Sequence, residues 1–226
     1  MRSTISPTKR GFAAFATVAL LAVPLAACGS EDDASPAASN DKTSASAPKP
    51  VASIDALSGK DTAIALDKGF TDALASLKLT PGVVGRAKLV DGSLVFPITG
   101  GNVTVFKPGQ VSPYVIGQVQ HEGSGLSLTA GDTKVELTNL NVDPGVSRVY
   151  GDVSVNGKVA VSNAFLFQLD GRTLQPLATE GSTAILEGTK VMISDDAAGL
   201  LNDTFKTDAV KGGLLVGIAK ITVNTK

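Results

Sequence analysis

The sequence predicts a mostly β fold, an antiparallel β-sandwich or barrel of about nine to ten strands with two short helices. Three observations carry this. Short apolar runs alternate with polar residues at the two-residue period of a strand, glycine-containing turn pairs separate them, and helical periodicity occurs in only two places. With no helix between most successive runs, hairpins must connect the strands, because parallel pairing needs long crossovers.

The chain begins with Arg2, Lys9 and Arg10, followed by an apolar run from Gly11 to Ala27 that Pro24 interrupts. A basic start, a short apolar run and small residues at its end predict an export signal over 1–27, since a membrane span needs ~20 apolar residues. The residues Leu25-Ala26-Ala27-Cys28 resemble the lipobox of bacterial lipoproteins. That resemblance implies cleavage before Cys28, a diacylglyceryl group on its sulfur, and a protein anchored on the outer face of the cell membrane. Cys28 is the only cysteine, so no disulfide can form within the chain. Residues 28–50 are nearly all Ser, Ala, Pro, Asp and Lys, which cannot bury enough apolar surface to offset their conformational entropy. A lipidated cysteine and disordered linker are expected there, then a single extracytoplasmic β-domain over 51–226.

Within that domain the strand-like runs are RAKLV, SLVFPI, NVTVF, YVIGQVQH, GLSLTA, KVELTNLNV, RVYGDVSV, AFLFQLD, TAILEGTKVMI and VGIAKITV. The segments DG, TGG, KPG, EGSG, AGD, DPG and NG lie between them, and each contains residues suited to tight turns. The stretch Pro97-Ile98-Thr99-Gly100-Gly101-Asn102 is expected to be a hairpin turn. In KVELTNLNV, Val135, Leu137, Leu140 and Val142 share a face only if the period shifts at Thr138-Asn139, as a bulge shifts it. The first helix is predicted over Asp67–Lys78, where Phe70, Leu74 and Leu77 recur at helical spacing. The second spans Ser194–Phe205, with Ser194 as N-cap, Asp195 and Asp196 in the first turn, and a stripe of Ala197, Leu201 and Phe205.

Catalytic patterns are missing from the sequence. His121 is the only histidine, on the run GQVQHEGSGLSL, and the break at EGSG reads it as a strand-end residue beside a tight turn. Ser124 follows closely, but there is no G-x-S-x-G elbow to present a nucleophile. One histidine and no second cysteine make a poor zinc site, and neither a calcium loop nor a phosphate-binding glycine loop occurs. No catalytic residue, metal site or cofactor is expected. Three of the 20 basic residues fall in the leader, leaving 17 against 21 acidic residues. A net negative chain without a basic cluster lacks the footprint of a nucleic-acid binder.

Two separated pieces carry a second resemblance. Lys68-Gly69-Phe70-Thr71-Asp72-Ala73-Leu74-Ala75-Ser76-Leu77 is similar to the W-G-x-K-x-S-F-x-x-Y opening of the haem-transport-associated (HtaA-like) domain of bacterial surface proteins. Gly117-Gln118-Val119-Gln120-His121-Glu122-Gly123-Ser124-Gly125-Leu126 is similar to that family's G-x-V-x-F-x-G-H-x-G-x-L. The resemblance implies a mostly antiparallel fold with short helices. It also places the family's iron-ligating tyrosine at Leu77 and its supporting histidine at Ser124, so neither group is carried over. Haem would then need other ligands, for which His121, Tyr114 and Tyr150 are the candidates. The sequence therefore points to a non-enzymatic binding or structural module, held to the membrane through Cys28, with a cell-wall or apolar small-molecule ligand. A haem or other apolar-ligand carrier is the alternative, and a surface hydrolase stands third.

Overall fold

In the computed structural model residues 47–225 are described; the export signal, Cys28 and nearly all of the linker lie outside the described residues. Thirteen strands and two helices follow in order: β1 (Ala52–Ile54), β2 (Lys60–Leu66), α1 (Lys68–Ser76), β3 (Thr80–Gly85), β4 (Lys88–Val90), β5 (Ser93–Pro97), β6 (Gly100–Val105), β7 (Val115–Ala130), β8 (Thr133–Asp143), β9 (Arg148–Val155), β10 (Lys158–Asp170), β11 (Ala178–Glu180), β12 (Thr183–Ile193), α2 (Asp195–Phe205) and β13 (Leu215–Asn224). All lie within a compact unit, Ser46–Lys226. No described helix is long and apolar enough to cross a membrane.

The strands form one antiparallel sheet in the order β1-β6-β7-β8-β9-β10-β12-β13-β2-β5-β4, with β3 also on β7 and β11 on β12. The mostly β antiparallel class with two helices is as the sequence predicts, but thirteen strands form rather than nine or ten. The additional ones are the three-residue pieces β1 and β11, too short to show a period, together with β2 and β3, whose KDTAIAL and TPGVVG lack a clear apolar alternation.

The sheet curls until its two flanks meet on one bent segment. β5 pairs with β2 and β6 pairs with β7, and only Ile98 and Thr99 separate β5 from β6. The Ile98 N–H donates to the Lys60 carbonyl at 3.0 Å, and the Thr99 N–H to the Gln120 carbonyl at 2.8 Å. The expected hairpin turn at 97–102 is therefore a bend that passes one strand from β2 to β7. This curl decides between sandwich and barrel in favour of a barrel-like sheet, whose two remaining edges, β1 and β4, are only three residues long.

Curvature is concentrated in a row of bulges. Between His121 and Gly125 three residues of β7 face one of β8, two of β8 face one of β9 between Thr138 and Asn141, and two of β10 face one of β9 between Val161 and Ala164. Gly123, Asn139 and Asn163 take left-handed backbone there, with φ of +66°, +53° and +52°. The EGSG segment is thus a bulge inside a sixteen-residue strand, and the expected strand end at His121 is corrected accordingly. Polar side chains stitch the row together. The Gly123 N–H donates to Asn139 Oδ1 (3.0 Å), Asn139 Nδ2 donates to Asp152 Oδ2 (2.9 Å), and the Asn163 N–H donates to Asp152 Oδ1 (3.0 Å). The phase shift keeps Val135 and Leu137 on the same buried face as Leu140 and Val142, as the sequence pattern of β8 requires.

Both helices close one end of the curl. Asp67 caps α1 by accepting from the Gly69 N–H at 2.8 Å, and Phe70 and Leu74 are buried. Ser194 caps α2 by accepting from the Ala197 N–H at 3.0 Å and donates to the Phe165 carbonyl at 2.6 Å. Leu201 of α2 packs among Val135, Leu137, Val153 and Leu166, and the last is fully buried. β2 and β12 run into this end and β13 starts from it, so the opposite end is rimmed by the ends of β6, β8 and β10 and the starts of β1, β7 and β9.

Asp152→Ala removes the acceptor of both the Asn139 amide and the Asn163 N–H. Urea denaturation is expected to show a loss of about 1–3 kcal/mol, whereas Asp132→Ala, in the exposed β7–β8 turn, should change stability by less than about 0.5 kcal/mol. Equal losses would remove the bulge row from the account of curvature.

Candidate functional site

The inward alternation of ten strands leaves the end opposite the helices hollow. A cavity of about 660 Å³ lies there, walled by apolar side chains that include Val119, Val149, Phe167, Val191, Val216 and Ala219. Its rim carries Pro113, Tyr114, Pro144 and Ser147, together with Asp170 at the end of β10 and Gly171 and Arg172 just after it. Arg172 clasps Asp170 with two bonds, Nε to Oδ1 at 2.9 Å and Nη2 to Oδ2 at 2.7 Å. Its guanidinium and its backbone N–H hold the Asp170 carboxyl well below the usual carboxylate range.

His121 is the main polar group inside. The β7 bulge begins at the next residue, and the Ser124 hydroxyl donates back to the His121 carbonyl at 2.9 Å, which fixes the backbone there. Nδ1 lies 3.2 Å from the Leu140 carbonyl, and a carbonyl only accepts, so Nδ1 carries the proton. Nε2 is then the acceptor for the Thr62 hydroxyl at 2.8 Å. The Phe96 ring meets the imidazole edge-on at 6.2 Å between centroids. Imidazole and hydroxyl are 2% and 4% exposed, and together they tie β7 to both β8 and β2 across the curl. Burial pushes the His121 pKa down from 6.5 to about 4, against the opposing effect of the bond to Leu140, so the ring is neutral at ordinary pH.

Of the three residues the sequence nominates, His121 and Tyr114 line this cavity, one in its interior and one at its rim. Tyr150 does not. It follows the inward Val149 on β9 and lies 6.0 Å from the Phe165 ring, and Arg148 stacks its guanidinium carbon 4.5 Å over that ring. Leu77 and Ser124, where the sequence resemblance would place the family's iron-ligating tyrosine and its supporting histidine, are also absent from the lining. Thr62, Asp170 and Arg172 were not nominated by the sequence. The first gives no signal because its partner is 59 positions away, while QLDGRT reads only as a turn.

Both imidazole nitrogens are engaged, so His121 has no lone pair free for a metal or for a proton from substrate. Among the described residues no group of three or more His, Cys, Asp or Glu is placed to hold a metal ion. What remains is a broad apolar wall with a few polar groups at the rim, the usual chemistry of a site for a small apolar molecule.

No family model matches the chain, and no curated protein matches it. Among solved structures, the crystal structure of the C-terminal domain of HtaA from Corynebacterium glutamicum is similar, with a TM-score of 0.50 and 11% identity over 76% of this chain and 98% of that one. A domain-swapped dimer of a variant of that same domain also matches, with a TM-score of 0.44 and 11% identity over 70% of this chain and 90% of that one. At this identity the first likeness establishes a shared fold, in agreement with the resemblance read from the sequence.

A histidine held neutral in the folded state contributes stability that is complete above pH 6.5 and is lost as the pH falls toward 4, because the unfolded chain takes up the proton first. Between pH 7 and 4.5 the wild-type protein is expected to lose about 2–3 kcal/mol more than His121→Asn in urea denaturation. Parallel pH profiles for the two proteins would contradict a buried neutral imidazole.

Proposed function

We propose that the chain is a non-enzymatic, lipid-anchored module on the outer face of the cell membrane, and that it binds an elongated apolar small molecule in the cavity. The observation that carries the reading is the apolar hollow of about 660 Å³ inside a sheet whose other end is packed by helices. Small-molecule sites are typically ~300–1,000 Å³ and mostly apolar. Each methylene moved from water into such a wall gains about 0.8 kcal/mol, so eight to ten methylenes supply roughly 6–8 kcal/mol before the cost of association. The rim groups Tyr114, Ser147 and Arg172 give a polar head somewhere to rest while the chain lies inside.

Haem is the second reading, motivated by Tyr114 and His121 sharing one cavity. It requires Thr62 to give up Nε2 of His121, or Tyr114 to act alone at the rim. A metal-free apolar ligand asks for neither change, which is why it ranks first. The export signal and lipobox supply the location, and the absence of a hydrolase pattern supports a binding role.

Titration with a fluorescent medium-chain fatty acid should give saturable binding that Ala219→Phe weakens at least tenfold by filling the hollow. Absence of saturable binding would refute the reading, and a sharpened, shifted Soret band on adding haemin, lost in Tyr114→Phe and His121→Ala, would replace it with the second. Cys28→Ala is expected to move the protein from the membrane fraction to the medium; unchanged retention in membranes would count against the anchor.

A further inference from the structure

We infer that the rim of the cavity is a membrane-docking face, so that the hollow opens toward the lipid surface. This rests on the reading of the cavity as an apolar-ligand site. Three exposed large apolar side chains gather at this end: Val51 (60% exposed), Ile116 (39%) and Val146 (54%). Val51 donates its N–H to the Val105 carbonyl at the end of β6, Ile116 is the second residue of β7, and Val146 sits in the β8–β9 turn. Pro113, Tyr114 and Pro144 extend the collar to the lip of the cavity. An apolar collar around an apolar hollow offers a ligand a path on which it need not cross water.

The chain itself supplies the reason why a bilayer, and not another partner, meets this end. β1 pairs with the last part of β6, so the polypeptide enters the domain at the rim. Only residues 29–46 separate Cys28 from the described part. For the linker that the sequence predicts there, a coil of that length averages roughly 25 Å end to end, while a domain of this size is roughly 40 Å across. An anchor on Cys28 therefore holds the rim nearer the bilayer than the helix-packed end. Charge at this end is mixed, with Arg148 opposite Asp143 and Arg172 clasping Asp170, so insertion of the collar and not attraction to anionic lipid is the expected mode of contact.

The sequence has no tryptophan, which gives a clean reporter. In the chain from residue 28 onward carrying Cys28→Ser, so that no acyl group contributes, Val146→Trp should show a blue-shifted emission on adding phosphatidylcholine vesicles. Val159→Trp, in the β9–β10 hairpin at the far end, should not. Co-sedimentation with the same vesicles should survive 0.5 M salt and fall at least tenfold in Ile116→Ser/Val146→Ser, with fatty-acid uptake from solution unchanged. Equal emission shifts at both positions, or vesicle binding that the double substitution leaves intact, would overturn the docking face. Loss of fatty-acid binding by Ala219→Phe with vesicle binding retained would leave docking standing, whereas absence of saturable fatty-acid binding in wild type would refute the cavity reading.

Discussion

An antiparallel strand that gains one unpaired residue turns every later side chain to the other face, and this fold interrupts its register in three strands along one row, by one extra residue in β8 and β10 and by two in β7. β7, β8 and β10 each carry extra residues at the level of Gly123, Asn139 and Asn163, while β9 carries none and supplies Asp152 as the common acceptor. The result is a sharp bend across four long strands without loss of the inward apolar face. On one side of the row Val135, Leu137 and Val153 receive α2; on the other, Leu140, Val142 and Val149 face the hollow. The bend therefore separates a filled end from an open one within a single sheet.

The seam of the curl depends on a second polar device. His121 and Thr62 lie on strands that are not directly paired, and their bond crosses the place where the β5–β6 segment passes from one strand to the other. A buried imidazole is stable here only because both nitrogens find partners and the ring stays neutral. The same two bonds that hold the curl consume the chemistry for which a lone histidine would otherwise be noticed.

Much of the frame was legible before the coordinates. The phase shift at Thr138-Asn139 announces its bulge because apolar residues stand on both sides of it, and Ser194 announces α2 because acids and an apolar stripe follow at helical spacing. EGSG misled because glycines serve a bulge and a turn equally well, and only the partner strand tells them apart. The hollow was not legible at all. Alternating valine and leucine describe a packed sandwich as readily as a barrel wall, and the difference lies in how far the sheet curls before its flanks meet. Tyr150 illustrates the same limit, since one position along β9 decides between cavity and outer face.

The likeness to the HtaA domain is one of fold, and Leu77 and Ser124 stand where the sequence resemblance would place an iron-ligating tyrosine and its supporting histidine. The account therefore separates scaffold from cargo: a curled sheet with a neutral imidazole and an apolar interior. Carbon-detected methyl NMR during titration with dodecanoate tests this most directly. The methyl groups of Val119, Val149, Val191 and Val216 are expected to shift and to show contacts to the ligand, while those of Leu89 and Val159 stay fixed. Shifts confined to the outer residues, or an interior that does not respond, would contradict a hollow sheet that carries an apolar molecule.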